Sequence, residues 1–267
     1  MRLAVSTDLY RLSQPSAAVK EMLRMRLAAA TWRIPWEFRQ EGLAPREQLA
    51  PWHVALREAN VDLAAVEIPA AILGSDEFPH SADAWLEAAK EAGAGVCVIA
   101  PGDDTAIAPL GRVTARLRDL GRIAGRRNML VTVGLHAEWA SDTREMCELL
   151  GNVACDAVRM HFDPRRFLCL NRESQVEIAV QRLLGWIGSL ALSDFDGDDQ
   201  VGESPPLGQG GHVGFARLLE IMRAYRFSGV CVIERGGGVR RRKGPTDAQW
   251  LDQSLEHLGR CGWLDGV

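Results

Sequence analysis

The feature that most constrains this chain is an alternation repeated along its length. Short apolar runs recur at 3–6, 29–34, 61–66, 95–100, 129–133, 157–162, 189–192 and 229–233, with helical patterns between them. Their spacing is roughly 30 residues, the length of one strand–helix unit. Eight such units close into a (β/α)8 or TIM barrel, which typically takes about 250 residues. The chain has 267 residues. One α/β domain spanning 1–267 is therefore expected. An open doubly wound sheet would alternate in the same way. Even unit lengths favour closure, and no Gly-x-Gly-x-x-Gly fingerprint follows the first run.

The helices are legible from periodicity. Leu110, Val113, Leu117, Leu120 and Ile123 fall at three- and four-residue spacing with arginines between them. Segments 82–92, 143–150, 175–186, 215–225 and 247–258 read likewise, and Gly93 stops the first of these. Ser141-Asp142-Thr143 and Thr246-Asp247 carry N-cap residues. The run at 29–34 is the least regular, because Trp32, Pro35 and Trp36 also suit a loop.

Composition narrows the function classes. With 47% hydrophobic and 25% charged residues the chain is an ordinary globular one, so disorder is not expected. A formal net charge of -4 argues against a broad nucleic-acid face. No apolar run reaches the length of about 18 residues that a membrane helix needs. The N-terminus reads as a strand, not as a signal peptide. Six cysteines are scattered without a Cys-x-x-Cys, which fits a reduced, cytoplasmic setting.

In such a barrel the chemistry sits at the C-terminal ends of the strands. Those ends carry Glu37, Glu67, His136 with Glu138, Asp163 with Arg166, Asp194 with Asp196, and Glu234 with Arg235. His161 lies two residues before Asp163 and so faces the same side of its strand. Asp163 and Glu234, two strands apart, are placed to share a cation or one substrate. Arg166 and Arg235 would hold substrate oxygens, with Glu37, Glu67 and Asp194 lining the pocket. The run Asp194, Asp196, Asp198, Asp199 lacks the Gly and closing Glu of a calcium loop, so it reads as solvated. The glycine- and arginine-rich loop at 235–243, with Arg240 at its centre, suits an anion such as a sugar phosphate. A mobile basic surface loop explains it equally well. His53, His80 and His257 read as surface residues and His212 as structural.

Three ordered motifs then point to a family. They are Phe162-Asp163-Pro164, then Pro206-Leu207-Gly208-Gln209-Gly210 with Phe215, then Tyr225-x-x-Ser228-Gly229 running into Val232-Ile233-Glu234. Together they resemble the second half of xylose isomerase-like barrels, the sugar phosphate isomerase/epimerase group that also includes the endonuclease IV type. The resemblance is strong over about 129–260 and elsewhere covers element order only. It implies a divalent metal (Mn²⁺, Zn²⁺ or Mg²⁺) acting as a Lewis acid on a sugar carbonyl or hydroxyl. It implies four ligands, and Asp163 and Glu234 match two of them. The other two positions hold Gly134 and Ala191, and a histidine often found after Asp-Pro is replaced by Arg166. His136 and His161 could complete a substitute set with Asp163 and Glu234.

The expectation is thus an isomerase- or epimerase-like protein for a small carbohydrate or sugar-acid derivative. Asp163, Glu234, His136 and His161 would be its catalytic groups. The alternative is a catalytically inactive barrel that binds a ligand or a protein partner. A phosphodiester-cleaving relative is disfavoured, because its three-metal site needs more histidines than this chain supplies.

Overall fold

Eight parallel strands close on themselves in sequence order in the computed structural model, β1-β2-β3-β4-β5-β6-β7-β8 and back to β1. The structure describes residues 1–10, 14–33, 43–100, 108–136, 139–171, 175–197, 204–235 and 246–264. The strands are β1 (Arg2–Ser6), β2 (Ala29–Trp32), β3 (Asp62–Pro69), β4 (Val96–Ala100), β5 (Leu130–Val133), β6 (Val158–Phe162), β7 (Ile187–Leu192) and β8 (Val230–Ile233). Closure places Arg2 opposite Val230 and Val5 opposite Ile233. The (β/α)8 barrel expected from the spacing is the observed fold.

The helices between the strands are α1 (Pro15–Arg24), α2 (Pro45–Glu58), α3 (Phe78–Glu91), α4 (Leu110–Arg126), α5 (Thr143–Val153), α6 (Pro164–Leu170), α7 (Val176–Leu183), α8 (Phe215–Ala224) and α9 (Asp247–Arg260). α1, α2 and α6 each begin on a proline, whose fixed φ suits the first helical position. The expected caps are in place. Asp142 accepts from the Glu145 N–H at 2.8 Å, and Thr246 accepts from the Gln249 N–H at 3.3 Å. Among the described residues no helix is long and apolar enough to cross a membrane.

Two apolar layers follow from the period-2 alternation of the strands. One face of each strand joins the helices in the large outer core, where Trp32 lies against Trp85 and Phe162 against Phe167. The other face fills the barrel with small residues: Ala4, Ala29, Ala65, Val96, Val98, Val230 and Val232. Small side chains at the base leave the polar residues two positions further on gathered at the mouth. Ala65 leads to Glu67 and Val232 leads to Glu234. Boundaries moved where tertiary packing decided them. β2 stops at Trp32, whereas β3 continues to Pro69 and carries Glu67 within the strand.

The segment after β7 is pinned from inside. Asp194 is fully buried. Its Oδ1 accepts from the Phe195 N–H at 2.8 Å, and its Oδ2 accepts from Gly208 and Gly210 at 2.8 and 3.0 Å. Burial raises its pKa, and the three N–H groups work against that rise. This corrects the reading of a solvated acidic stretch: the carboxylate is committed to the backbone of its own loop. Ser204 ties the same loop to the end of β8, its N–H donating to the Arg235 carbonyl at 2.7 Å. Trp250 of α9 donates to the Ser204 carbonyl at 2.9 Å. His257 is also not the surface residue expected. It is half-buried, with its ring 5.6 Å from Phe215.

Asp194→Ala removes the acceptor of three backbone N–H groups, that of Phe195 buried and those of Gly208 and Gly210 partly so. It should lower unfolding free energy by about 2–4 kcal/mol in urea titrations. Gly210→Ala should do comparable damage, since a Cβ there would lie 2.2 Å from the Phe195 carbonyl oxygen. Two variants indistinguishable from the parent would remove the pin from this account.

Candidate active site

The mouth of the barrel is organised around one side chain that the sequence reading passed over. Arg33 directly follows β2, and its backbone is clamped by Thr7. The Arg33 N–H donates to Thr7 Oγ1 at 2.9 Å, and Oγ1 donates back to the Arg33 carbonyl at 2.9 Å. The guanidinium is only 16% exposed. Its Nε lies 3.1 Å from Glu67 Oε2 and 4.0 Å from Asp8 Oδ2. Its Nη1 lies 3.3 Å from Glu234 Oε2. β1, β2, β3 and β8 thus each contribute one charged group to a single cluster.

Burial works against the Arg33 charge. Glu67, Glu234, Asp8 and Asp163 outweigh it, and the guanidinium is held firmly protonated. Glu234 behaves in the opposite sense. Its backbone N–H bonds the Leu192 carbonyl at 3.3 Å, extending the β7–β8 ladder and fixing the side chain at the mouth. Burial pushes its carboxyl up to about 8. Arg33 pulls it down, but Asp163, Asp8 and Glu67 add their repulsion to the burial.

Asp163 caps α6. Its Oδ1 accepts from the Arg165 N–H at 2.9 Å and from the Ser193 hydroxyl at the end of β7. One layer deeper, His161 Nδ1 lies 2.8 Å from Ser189 Oγ, which donates to Thr132 Oγ1 at 2.8 Å. Because the Ser189 proton is directed to Thr132, this arrangement places the ring proton on Nδ1 and leaves Nε2 as an acceptor. Burial pushes His161 down to about 4; Asp163 opposes this and Arg33 reinforces it. A register shift in the β6–β7 pairing falls between Met160 and His161, where a bulge can re-aim the ring.

The other expected site residues lie as follows. His136 is buried after β5, its ring 5.0 Å from Trp139. Arg166 sits half-buried in α6. Arg235 donates from Nη1 to Asp247 of α9. Asp194 serves its own loop, as above. Glu37, Glu138 and Arg240 fall outside the described residues. Arg33 and Asp8 were the omissions, although the rule applied to His161 and Asp163 would have found Arg33. It follows Thr31 by two residues, just as Asp163 follows His161.

Residues 44–261 match the family model described as xylose isomerase-like TIM barrel. The chain belongs to this family. Solved structures with the same fold include 3-keto-D-glucoside 4-epimerase from E. coli, at TM-score 0.74 and 15% identity, covering 98% of this chain and 100% of that one. D-psicose 3-epimerase from Clostridium cellulolyticum, with D-tagatose, superposes at TM-score 0.73 and 10% identity, covering 99% of each chain. A probable 3-DHS dehydratase from Bacillus anthracis gives 0.71 and 14%, covering 96% of this chain and 99% of that one. Among curated proteins no sequence matches.

The divalent metal implied by the family resemblance does not fit these residues. Among the described residues no group of three or more His, Cys, Asp or Glu side chains is arranged to hold a metal ion. The positive charge between Asp8, Glu67 and Glu234 is the Arg33 guanidinium itself. A second cation there would meet its repulsion in a buried setting, where charges are weakly screened.

The two shifted groups predict opposite pH trends. His161 has an ordinary value of 6.5 and a folded value of about 4. Its stabilisation is complete above 6.5 and is lost as pH falls toward 4, at up to about 1.4 kcal/mol per pH unit. Glu234 has an ordinary value of 4.5 and a folded value of about 8. Its stabilisation is complete below 4.5 and is lost as pH rises toward 8. Relative to the parent, His161→Gln should therefore gain stability as pH falls, and Glu234→Gln as pH rises. Urea midpoints taken across this range test both, and differences that do not vary with pH would contradict them.

Proposed function

We propose that the protein is an isomerase- or epimerase-type enzyme that moves a proton on a small carbohydrate or sugar-acid derivative at the barrel mouth. One observation carries this reading. Carboxylates from β3 (Glu67), the ends of β6 (Asp163) and β8 (Glu234), and the turn after β1 (Asp8) gather around one fixed guanidinium, with the His161 imidazole one layer below. Surface solvation does not explain polar groups that are buried or half-buried and come from five separate strands. The structurally similar 3-keto-D-glucoside 4-epimerase and D-psicose 3-epimerase, the latter with D-tagatose, support a carbohydrate as the substrate class.

The chemistry follows from protonation states. A general base must be unprotonated at its accepting atom at working pH, and its acid partner must still hold a proton. Asp163 and the Nε2 of His161 are the acceptors available to take a proton from carbon next to a sugar carbonyl. Glu234 holds a proton in neutral solution and can deliver it to the carbonyl oxygen. The resulting enediol is reprotonated on the opposite face for epimerisation, or on the neighbouring carbon for isomerisation. If the substrate carries a phosphate, the 235–243 loop is the place for it, and phosphate protection against thermal unfolding should then disappear in Arg240→Ala.

A second reading has its own support. Gly134 and Ala191 stand where the family resemblance implies metal ligands, which is what a ligand-binding barrel without turnover would show. Incubating the protein with a panel of ketoses in D₂O and chelator, and following loss of the C–H signal by NMR, separates the two. The enzyme reading expects exchange into at least one sugar. Glu234→Gln and Asp163→Asn should each slow it by about 100-fold or more, the usual scale for losing an acid or base. Thermal protection by a sugar without any exchange would favour the binding barrel.

A further inference from the structure

We propose that Arg33 is the resident cation of this barrel mouth, occupying the place a divalent metal would otherwise take and polarising the substrate carbonyl in its stead. The inference rests on the proton-transfer reading above and says how that chemistry runs without a metal ion.

Three independent features point to it. The first is convergence: Glu67 and Glu234 approach Nε and Nη1 at 3.1 and 3.3 Å, and Asp8 stands 4.0 Å away. These carboxylates arrive from opposite flanks of β2, across the closure of the barrel. The second is fixation. The two-way Thr7 clamp holds the Arg33 backbone, and the β2–β3 register shifts between Ala30 and Thr31, just below it. A cation that must act in place of a bound ion has to be held like one. The third is the polar space left beside it. Asp8 Oδ1 and the hydroxyls of Ser6 and Thr31 are buried, yet have no hydrogen-bond partner among the described residues. Ser6 and Thr31 are paired in the β1–β2 register, one layer beneath Asp8 and Arg33. Buried polar atoms are nearly always satisfied, so this trio marks where a substrate hydroxyl or a water belongs.

The guanidinium is chemically suited to the task. It carries five N–H donors in a planar fork and does not lose its proton. The two carboxylates engage Nε and Nη1, so donors remain for a substrate oxygen. When a base removes the C–H proton, negative charge develops on the former carbonyl oxygen. A fixed cation with N–H donors stabilises that charge, and Glu234 supplies the proton that completes the enediol. No oxidant or further co-reactant is needed, and the proton count closes when carbon receives a proton back and an enediol hydroxyl returns one to Glu234.

The test titrates Mn²⁺ and, separately, methylguanidinium into three purified proteins: the parent, Arg33→Ala, and Arg33→Ala combined with Glu234→Gln. Binding is followed by calorimetry and thermal unfolding, so the readout does not depend on activity. The parent should bind neither. Arg33→Ala should gain a saturable site for methylguanidinium or Mn²⁺ that raises its melting temperature, and the double variant should weaken that site at least tenfold. If Arg33→Ala does not fold unaided, it is refolded with methylguanidinium present, and Arg33→Lys, which keeps the charge, should fold and still ignore Mn²⁺. One equivalent of Mn²⁺ bound by the parent and lost in Glu234→Gln would overturn the proposal. So would an Arg33→Ala protein that binds neither cation. Exchange into sugar that requires added metal would sink this inference alone. Cation results as expected, but without exchange into any sugar, would sink the isomerase reading alone.

Discussion

A guanidinium held among carboxylates is the interaction on which the rest of this barrel mouth depends. Asp8, Glu67 and Glu234 cannot sit buried together as anions without a countercharge, because the low-dielectric setting magnifies their repulsion. Arg33 supplies that charge. In return, the carboxylates keep its own charge in a largely buried position. This mutual dependence makes the cluster a single unit drawn from β1, β2, β3 and β8. Its position is set from below. Small residues such as Ala4, Ala65 and Val232 fill the barrel, so the longer polar chains above them find room to converge.

The fold was legible because it depends on pattern. Eight apolar runs at even spacing define eight strands, and each was found where the alternation put it, with ends shifted by a few residues. β2 is the instructive case. The apolar run suggested a strand to residue 34, yet it ends at Trp32, and the next residue leaves the ladder to become the centre of the site. Extending the strand by two residues hid Arg33 within it and drew attention instead to Glu37. Asp8 was hidden differently. It lies in a single 3-10 turn that follows β1 directly, and no periodicity announces a turn of four residues.

The motif after β7 shows the limit of reading residue types alone. Four aspartates in six positions look like a solvated loop, and a strand-end aspartate looks like a pocket residue. What distinguishes Asp194 is the glycine-rich stretch 14 to 16 residues later, whose N–H groups turn back to it. Gly208 has a φ of +84°, and Gly210 leaves no space for a side chain against the Phe195 carbonyl. The Pro-Leu-Gly-Gln-Gly motif that suggested the family is thus a structural clasp for the carboxylate. Its presence testifies to the shape of the loop and not to the chemistry at the mouth, which explains how a chain can keep the motif and still depart from the family's ligand set at Gly134 and Ala191.

That departure has a consequence for charge. A divalent ion would allow two carboxylates to stay ionised in a buried site with no excess charge. Arg33 brings a single positive charge among Asp8, Glu67, Asp163 and Glu234, so the carboxylates outnumber it, and burial makes the excess costly. The least expensive remedy is to retain a proton on one carboxyl. Burial and three acidic neighbours raise the proton affinity of Glu234 against the pull of Arg33, which makes it the carboxyl suited to retain one. A singly charged side chain among these carboxylates therefore does more than supply a cation. It leaves in the same site a carboxylic acid that keeps its proton in neutral solution, which is the partner that proton transfer to a carbonyl oxygen requires.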